Sequence, residues 1–514
     1  MRRPLPRAAA AATAAVLAAL LPVSASADPR PSSLPPCEGG TNPESDFDGD
    51  GIPDLVVGDP DAAVGGAERA GRITVVYGGE TETTVLEQGQ GAAPGKPEDG
   101  DRFGEVLDTF DHDQDGCTDL VVGLPFETVN GRAEAGMVMI IYGGALGLGW
   151  GAPTEIWTQD TPGFGGGPEA GDWFGHSVAA GHTLSGEPYM VIGIPGESIG
   201  TTEKAGYVQY VRGSAMAAFH QNTDGIPGEA EAQDRYGYEV AANGTHIVVG
   251  APGEAIGEED YAGGVNFFSH TMVDGRPRYL RTFNQGSTIT GLSGDIVEAG
   301  DRTGTSIDMI DVIPSEGTDP ESLIAIGSPG EDLGTTSGEV QDTGFVHVFR
   351  LKADATLEQI YEADLGSTDA DARQDGAFFG QRVRLVDTVP GSPATGTSVK
   401  LVVGAPGHGT GSERASGLIQ VHHPLGGDPS QSFDVARADH TALGPAVPGA
   451  YLGMSFSVTA DNLYVATAFD DGDPGAVHAA PWNGLEAGSA DWRTWRPGQD
   501  GVPEGGRAFG AGLL

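Results

Sequence analysis

The sequence predicts an all-β protein in which seven related segments close into a ring. Three recurring features support this prediction: a Phe-Gly step, a β-branched strand that runs into a Gly-x-Pro turn, and a second strand that begins with glycine. After the first 27 residues, no long stretch shows the 3.6-residue apolar period of a helix. Glycine (83 residues) and proline (35 residues) are abundant, which is typical of a chain with many turns.

The Phe-Gly step marks one half of each repeat, with another residue type in place of Phe in three copies. The copies are Phe103-Gly104, Phe174-Gly175, Tyr236-Gly237, Thr303-Gly304, Phe379-Gly380, Leu452-Gly453 and Phe509-Gly510. The other half is a β-branched strand that enters Gly-x-Pro, and its glycines are Gly58, Gly123, Gly193, Gly250, Gly327 and Gly404. A seventh copy has decayed to Val465-Ala466-Thr467-Ala468.

The strand after each Gly-x-Pro turn places a β-branched residue two positions after its leading glycine. These residues are Ile73, Val138, Val208, Val346, Ile419 and Val477. The following position is mostly polar, with Thr74, Met139, Gln209, His347, Gln420 and His478. This alternation predicts a strand with one buried face and one solvent face. On this interpretation His347 and His478 face solvent.

The order of the two halves indicates how the ring closes. Gly58 has no Phe-Gly step before it, and Phe509-Gly510 has no Gly-x-Pro turn after it. Joined, the two chain ends complete the seventh unit, so we expect one sheet to be shared between residues 55–58 and the C-terminal segment. Closure removes the exposed strand edges that otherwise favour aggregation.

These repeats resemble the FG-GAP repeats of the integrin alpha-chain N-terminal propeller and of secreted bacterial relatives. The resemblance covers residues 46–514 and implies a seven-bladed β-propeller. It also implies an extracellular binding module, with integrin-like cell adhesion as its most specific form. The sequence contains no Arg-Gly-Asp motif and no Asp-x-Ser-x-Ser metal motif, so adhesion is an analogy at the level of the fold.

Two acidic segments have the spacing of cation-binding loops. The first offers carboxylates at positions 1, 3, 5 and 9 and a backbone carbonyl at position 7, from Asp46, Asp48, Asp50, Asp54 and Ile52. The second repeats this pattern with Asp111, Asp113, Asp115, Asp119 and Cys117. Calcium accepts about six to eight oxygen ligands with loose geometry, and both segments match the calcium loops of the integrin propeller, so we predict two Ca²⁺ sites. The alternative is a pair of acidic Asx-turns that close hairpins without metal.

Charge and targeting features indicate an exported chain. Residues 1–27 combine an arginine-containing start, an Ala/Leu/Val run and the small residues Ala25-Ser26-Ala27, which predicts a signal peptide cleaved after Ala27 and a secreted product without a membrane span. A segment at 28–45 then precedes the propeller at 46–514. The net charge of −46 disfavours binding to nucleic acid. Cys37 and Cys117 predict one disulfide that joins the N-terminal segment to the second repeat.

Catalytic motifs are weak in this sequence. Gly196-Glu-Ser198-Ile-Gly200 fits the letters of a hydrolase nucleophile elbow, but it follows a turn between strands and no helical pattern succeeds it. We therefore predict a monomeric binding module without catalytic residues, whose partner is an unknown extracellular protein or glycan. Two alternatives stay open: an extracellular hydrolase or lyase that uses the central funnel, and a purely structural surface protein.

Overall fold

A computed structural model describes Cys37 and residues 45–79, 83–287, 289, 296–316, 318–335, 338–367, 372–426, 431–470 and 472–514. Within these ranges lie thirty strands and one five-residue α-helix, α1 (Trp482–Glu486). No helix in this part of the chain is long and apolar enough to cross a membrane. The predicted signal peptide, its cleavage site after Ala27 and most of the segment at 28–45 lie outside the described residues.

The strands form seven four-stranded antiparallel sheets in the described chain, and these sheets are the blades of a seven-bladed β-propeller, as predicted. Blade 1 contains β1 (Leu55–Asp59), β2 (Arg72–Val76) and β3 (Thr83–Leu86). Blade 2 contains β4 (Val106–Phe110), β5 (Asp119–Leu124), β6 (Met137–Ile141) and β7 (Glu155–Trp157). Blade 3 contains β8 (Ser177–His182), β9 (Pro188–Ile194), β10 (Tyr207–Arg212) and β11 (Ala215–Phe219). Blade 4 contains β12 (Val240–Ala242), β13 (His246–Ala251), β14 (Gly264–Val273) and β15 (Arg276–Phe283).

The remaining blades follow the same order, and blade 5 carries an extra hairpin. Blade 5 contains β16 (Ser306–Val312), β17 (Glu321–Ser328), β20 (Phe345–Leu351) and β21 (Leu357–Ala363), and its hairpin is β18 (Leu333–Thr335) and β19 (Gly338–Val340). Blade 6 contains β22 (Arg382–Asp387), β23 (Val399–Ala405), β24 (Leu418–His422) and β25 (Phe433–Val435). Blade 7 contains β26 (Phe456–Val458), β27 (Asn462–Ala466), β28 (Val477–Pro481) and β29 (Arg493–Trp495). The last strand, β30 (Gly512–Leu513), returns to blade 1.

Blade 1 is built from both ends of the chain, which confirms the predicted closure. Strand β30 pairs with β1 so that Leu513 lies opposite Val57 and Gly512 opposite Gly58. The amide of Gly510 donates a 2.9 Å hydrogen bond to the carbonyl of Gly58. The C-terminal Phe-Gly segment is thus the innermost strand of the first blade.

The two repeated glycines are required because neighbouring blades touch through their backbones. A Cβ added at Gly58 would lie 1.9 Å from the carbonyl oxygen of Gly104, and one added at Gly193 would lie 2.0 Å from that of Gly237. The Gly-x-Pro glycine of one blade therefore packs on the Phe-Gly glycine of the next. No side chain fits at Gly58 or Gly193 without displacing a blade, whereas the decayed seventh copy has Ala466 opposite Gly510.

The apolar core lies between adjacent blades, and this position overturns one prediction. The polar positions of the third strands, predicted to face solvent, are buried: Thr74, Gln209, His347, Gln420 and His478 are at most 3% exposed. The prediction that His347 and His478 face solvent was wrong, because each blade packs on a neighbour through both of its faces. Three of these side chains hydrogen-bond the neighbouring outer strand: His478 reaches Thr494 at 2.9 Å, Gln420 reaches Asp434 at 3.0 Å, and His347 reaches Gln359 at 3.2 Å.

Alternating strand direction places the loops of every blade on two opposite faces. The loops that enter the second strands, including both acidic segments, lie on one face, which we call the acidic-loop face. The Gly-x-Pro turns and Phe-Gly steps lie on the other, which we call the Phe-Gly face. The innermost strands line a central cavity of about 300 Å³ between the two faces.

Candidate functional site

The predicted disulfide between Cys37 and Cys117 is present, with the two Cα atoms 5.5 Å apart. It joins the N-terminal segment to the loop before β5 of blade 2. It also packs against the acidic segment of blade 1, because a Cβ added at Gly49 would lie 2.9 Å from Cys37 Cβ and 3.2 Å from Cys117 Sγ. One covalent bond therefore contacts both acidic segments.

The first acidic segment folds around its own carboxylates. Asp46 accepts the amide of Asp50 at 3.1 Å through Oδ1 and the amide of Gly51 at 2.9 Å through Oδ2. The carboxylate of Asp50 accepts the amide of Ile52 at 2.8 Å. Asp46, Asp48 and Asp50 each offer an oxygen atom, and these atoms lie within 4.8 Å of one another. Three of the four predicted carboxylate ligands are thus brought together.

The second acidic segment reproduces this geometry in blade 2. Asp111 accepts the amide of Asp115 at 3.1 Å and that of Gly116 at 3.0 Å, and Asp115 accepts the amide of Cys117 at 2.9 Å. Oxygen atoms of Asp111, Asp113 and Asp115 also lie within 4.8 Å of one another. Two segments far apart in sequence therefore adopt one loop conformation.

The aspartates at position 9 lie outside these two clusters of three, and both carboxylate oxygens of each accept hydrogen bonds from backbone amides. Asp54 accepts the amide of Phe47 at 2.9 Å through Oδ2 and the amide of Gly78 at 2.8 Å through Oδ1. Asp119 makes the matching pair of contacts in blade 2. Burial raises the pKa of Asp54 to about 7 and that of Asp119 to about 8, with a further contribution from the neighbouring aspartates. Each of these carboxylates orients its loop against the blade.

The donor set of both segments consists of oxygen atoms. Burial raises the pKa of Asp48 and of Asp113, and the adjacent aspartates raise both further. No backbone amide of the described chain donates to the carbonyls of Ile52 or Cys117, the predicted ligands at position 7. Carboxylate and carbonyl oxygens suit a hard divalent cation, and such an ion would offset the repulsion between the carboxylates.

The two acidic segments are direct neighbours, which their sequence spacing does not reveal. The amide of Thr118 in the second segment donates to the carbonyl of Asp46 in the first at 2.8 Å. The amide of Gly144 donates to the carbonyl of Phe47 at 3.0 Å. The two segments are therefore in contact through backbone hydrogen bonds as well as through the disulfide.

A ring of side chains that the sequence analysis did not single out lies on the Phe-Gly face. The residue before the Phe-Gly step has a left-handed backbone in six successive repeats, with φ between 48° and 60°. This mouth ring consists of Arg102, Trp173, Arg235, Arg302, Phe378 and Tyr451. Each amide donates to the preceding blade, as Arg235 does to the carbonyl of Lys204 at 3.1 Å. The fixed offset from each Phe-Gly step was the sequence signal for this ring.

Two cavities adjoin the mouth ring. A cavity of about 320 Å³ is lined by Arg235, Arg302 and Tyr238, among others. A larger one of about 1160 Å³ is lined by Phe378 and Tyr451 together with the hairpin of blade 5. The smaller cavity therefore presents arginines beside tyrosines, and the larger one presents aromatic side chains beside charged residues such as Arg414 and Asp375.

Buried acids also recur at the interfaces between blades 1 to 5, where a glutamine of one blade donates to a glutamate of the next. The pairs are Gln88–Glu127, Gln159–Glu197, Gln221–Glu254 and Gln285–Glu331. Burial raises the pKa of Glu197 to about 7, and the nearby Asp172 raises it further. Burial also raises the pKa of Glu127 and of Glu254 to about 7, so these three carboxyls are partly protonated near neutral pH.

Ser198 does not lie in a nucleophile elbow. Its Oγ accepts the amide of Lys204 at 3.4 Å. The chain after it forms a β-bridge between Ile199 and Thr202, where an elbow requires a helix.

Comparisons with known proteins identify no family for this chain. No protein-family model matches it. A phosphatidylinositol-glycan-specific phospholipase D from Mus musculus is 33% identical over 106 residues, which are 20% of this chain and 12% of the mouse protein. Among solved structures, a proposed 6-phosphogluconolactonase from Bacteroides uniformis aligns over 90% of this chain and 99% of its own, with a TM-score of 0.42 and 13% identity. A prolyl endopeptidase aligns over 84% of this chain and 47% of its own, with a TM-score of 0.38 and 11% identity.

Proposed function

We propose that this chain is a secreted, non-catalytic binding module of the FG-GAP type whose propeller is stiffened by two Ca²⁺ ions. Seven copies of the repeat support the FG-GAP assignment, and integrin-like adhesion to an extracellular protein or glycan is its most specific form. The disulfide supports an oxidising compartment, in which such bonds persist. The aligned 12% of the mouse phospholipase is too small a part for its activity to be proposed for this chain.

The mouth ring is the observation that carries the proposal of a binding function. Six blades hold one backbone conformation at the same position, while the side chains vary among Arg, Trp, Phe and Tyr. A left-handed backbone costs such residues free energy, so the surrounding structure must hold it in place. Variable side chains on a constant, rigid scaffold are the usual arrangement of a recognition surface.

Calcium has a structural role in this proposal. Asp46, Asp48, Asp50 and the carbonyl of Ile52 would hold one ion, and Asp111, Asp113, Asp115 and the carbonyl of Cys117 would hold the other. Asp54 and Asp119 fix the loops through their amide contacts and complete the acidic environment. The bound ions would lower the repulsion within each loop and stiffen the contact between blades 1 and 2.

Calcium titration by calorimetry, combined with affinity capture from secreted and cell-wall fractions, tests the proposal. We expect two binding events in the wild type and one in an Asp48→Asn variant. Asp354→Asn is the matched control, because Asp354 also caps a turn by accepting the amide of Thr356 at 2.9 Å but lies outside both acidic clusters. The proposal would be refuted if the wild type bound no calcium in the titration. It would also be refuted if the immobilised protein captured no partner in calcium that chelator then released.

A further inference from the structure

Three cations near the mouth ring are kept free of the carboxylates of their own chain. Lys204, Arg235 and Arg302 form no ion pair in the described residues, although the protein has 73 acidic and only 27 basic residues. Arg102, at the equivalent position of blade 2, forms a two-point ion pair with a neighbouring glutamate. Asp342 is within electrostatic range of Arg302 but forms no ion pair with it. Free cations in so acidic a protein point to an external anion.

The aromatic side chain of Trp173 contacts two of these cations. Arg235 lies 5.1 Å and Lys204 5.5 Å from the centre of the Trp173 ring, within the range of cation–π attraction. Arg235 and Arg302 line the cavity of about 320 Å³ together with Tyr238. Guanidinium groups bind carboxylates through paired, charge-assisted hydrogen bonds, so this cavity suits a planar carboxylate.

The larger cavity beside the mouth ring combines exposed apolar side chains with charged ones, among them Arg414, Glu339 and Asp375. Tyr451 is 46% exposed and Met454 is 40% exposed, and both line the cavity of about 1160 Å³ with Phe378. Gln381 lines this cavity and the cationic one, so the two are adjacent. A ligand with an anionic group and an apolar group can occupy both at once.

We infer that the mouth ring binds an acidic segment of a partner polypeptide, with a carboxylate between Arg235 and Arg302 and a large apolar side chain against Phe378, Tyr451 and Met454. The inference names the ligand class for the binding module proposed above and rests on that proposal. The residue types decide for a polypeptide over a glycan, because Arg, Trp, Tyr, Phe and Met are the types enriched at protein interfaces. Met454 in particular offers a flexible apolar contact that suits a protein side chain.

Fluorescence polarisation with a labelled octapeptide, Glu-Glu-Phe-Glu-Glu-Leu-Glu-Glu, tests this inference. We expect Arg302→Gln and Met454→Ser each to weaken binding about tenfold or more, since each removes one of the two anchors. Peptides with Gln in place of Glu, or with Ser in place of Phe and Leu, should bind about tenfold more weakly than the probe.

Two matched controls separate the mouth from the rest of the surface. Arg278→Gln changes an exposed arginine on β15, and Met216→Ser changes a methionine that is 41% exposed on β11. Both variants should bind the probe like the wild type, and thermal melting checks that all four variants are folded. Equal weakening by the controls, tight binding of the Gln peptide, or no binding of any peptide would overturn the inference. Binding of polygalacturonate without the peptide would also overturn it but would leave the proposed binding function intact.

Discussion

Removing the disulfide should weaken calcium binding at both acidic segments. The Cys37→Ser/Cys117→Ser double variant takes away a bond that packs on Gly49 of the first segment and ends within the second. On the proposed calcium assignment, the loops would then have to be ordered by the ions themselves. We expect a lower melting temperature and a lower calcium affinity.

The size of the effect on stability follows from the length of the closed loop. Cys37 and Cys117 are 80 residues apart, for which the chain-entropy relation gives about 4.5 kcal/mol at 25 °C. An unfolding entropy of about 2.1 cal/mol/K per residue corresponds to about 1 kcal/mol/K for a chain of 514 residues. The double variant should therefore melt about 4 °C lower than the wild type in chelator.

The effect on calcium is measured separately from the effect on stability. Differential scanning calorimetry in chelator gives the loss of stability. Titration of the folded variant with calcium gives the loss of calcium affinity. A coupling free energy of about 1–3 kcal/mol between disulfide and ion corresponds to an affinity about five to 150 times lower. An unchanged calcium affinity in a folded variant that melts lower would show that the disulfide acts only through the unfolded chain, and would refute the coupling.

Three further predictions concern the ring itself. Gly193→Ala places a Cβ 2.0 Å from a backbone oxygen, so urea unfolding should show a loss of about 1–3 kcal/mol, whereas Gly167→Ala, with no atom within 4 Å, should change stability by less than about 0.5 kcal/mol. Deletion of residues 510–514 removes β30 and exposes the edge of β1, so size-exclusion chromatography should show self-association; a monomer with an unchanged melting temperature would contradict closure. In chelator, stability should fall as pH rises through about 7, because the raised pKa of Glu197 makes the folded state bind its proton more tightly than the unfolded state. Glu197→Gln should remove part of this dependence in melting scans, and a steeper fall in that variant would contradict the assignment.

The ring and its closure were predictable because close backbone contacts restrict the sequence strongly. The contact between Gly193 and Gly237 admits no Cβ, so glycine recurs there at a regular offset in repeat after repeat. Departures from the pattern are compensated locally. Where Thr303 replaces the aromatic residue, its hydroxyl hydrogen-bonds the hydroxyl of Ser328 in the adjacent Gly-x-Pro turn at 2.9 Å.

The burial of polar side chains and the contacts between loops of different blades were harder to predict, because neither depends on one repeat alone. His347 has the alternating pattern of a half-exposed strand, but packing of blades on both sides makes it fully buried. The acidic segments of blades 1 and 2 carry ligand spacing that the sequence shows, whereas the hydrogen bond between Thr118 and Asp46 depends on how two blades meet. The mouth ring shows the same limit, since its members become one surface only when the ring is closed.

The position of the reinforcing contacts follows from where the ring is weakest. Blade 1 is closed by a strand of two residues, β30, whereas the innermost strands of the other blades have three to seven. Both acidic segments and the disulfide lie on blade 1 and its neighbour blade 2, and on the other face Asp59 accepts the amides of Arg507 and Ala508. Backbone hydrogen bonds extend the pairing beyond β30, between Leu514 and Val56 at 3.1 Å in both directions and from Gly510 to Gly58 at 2.9 Å. Contacts outside the sheet add to the free energy that these bonds contribute to closure. The disulfide provides such a contact, and the proposed calcium ions would provide others. Both lie away from the Phe-Gly face, so on the proposed function its side chains would be free to vary for recognition.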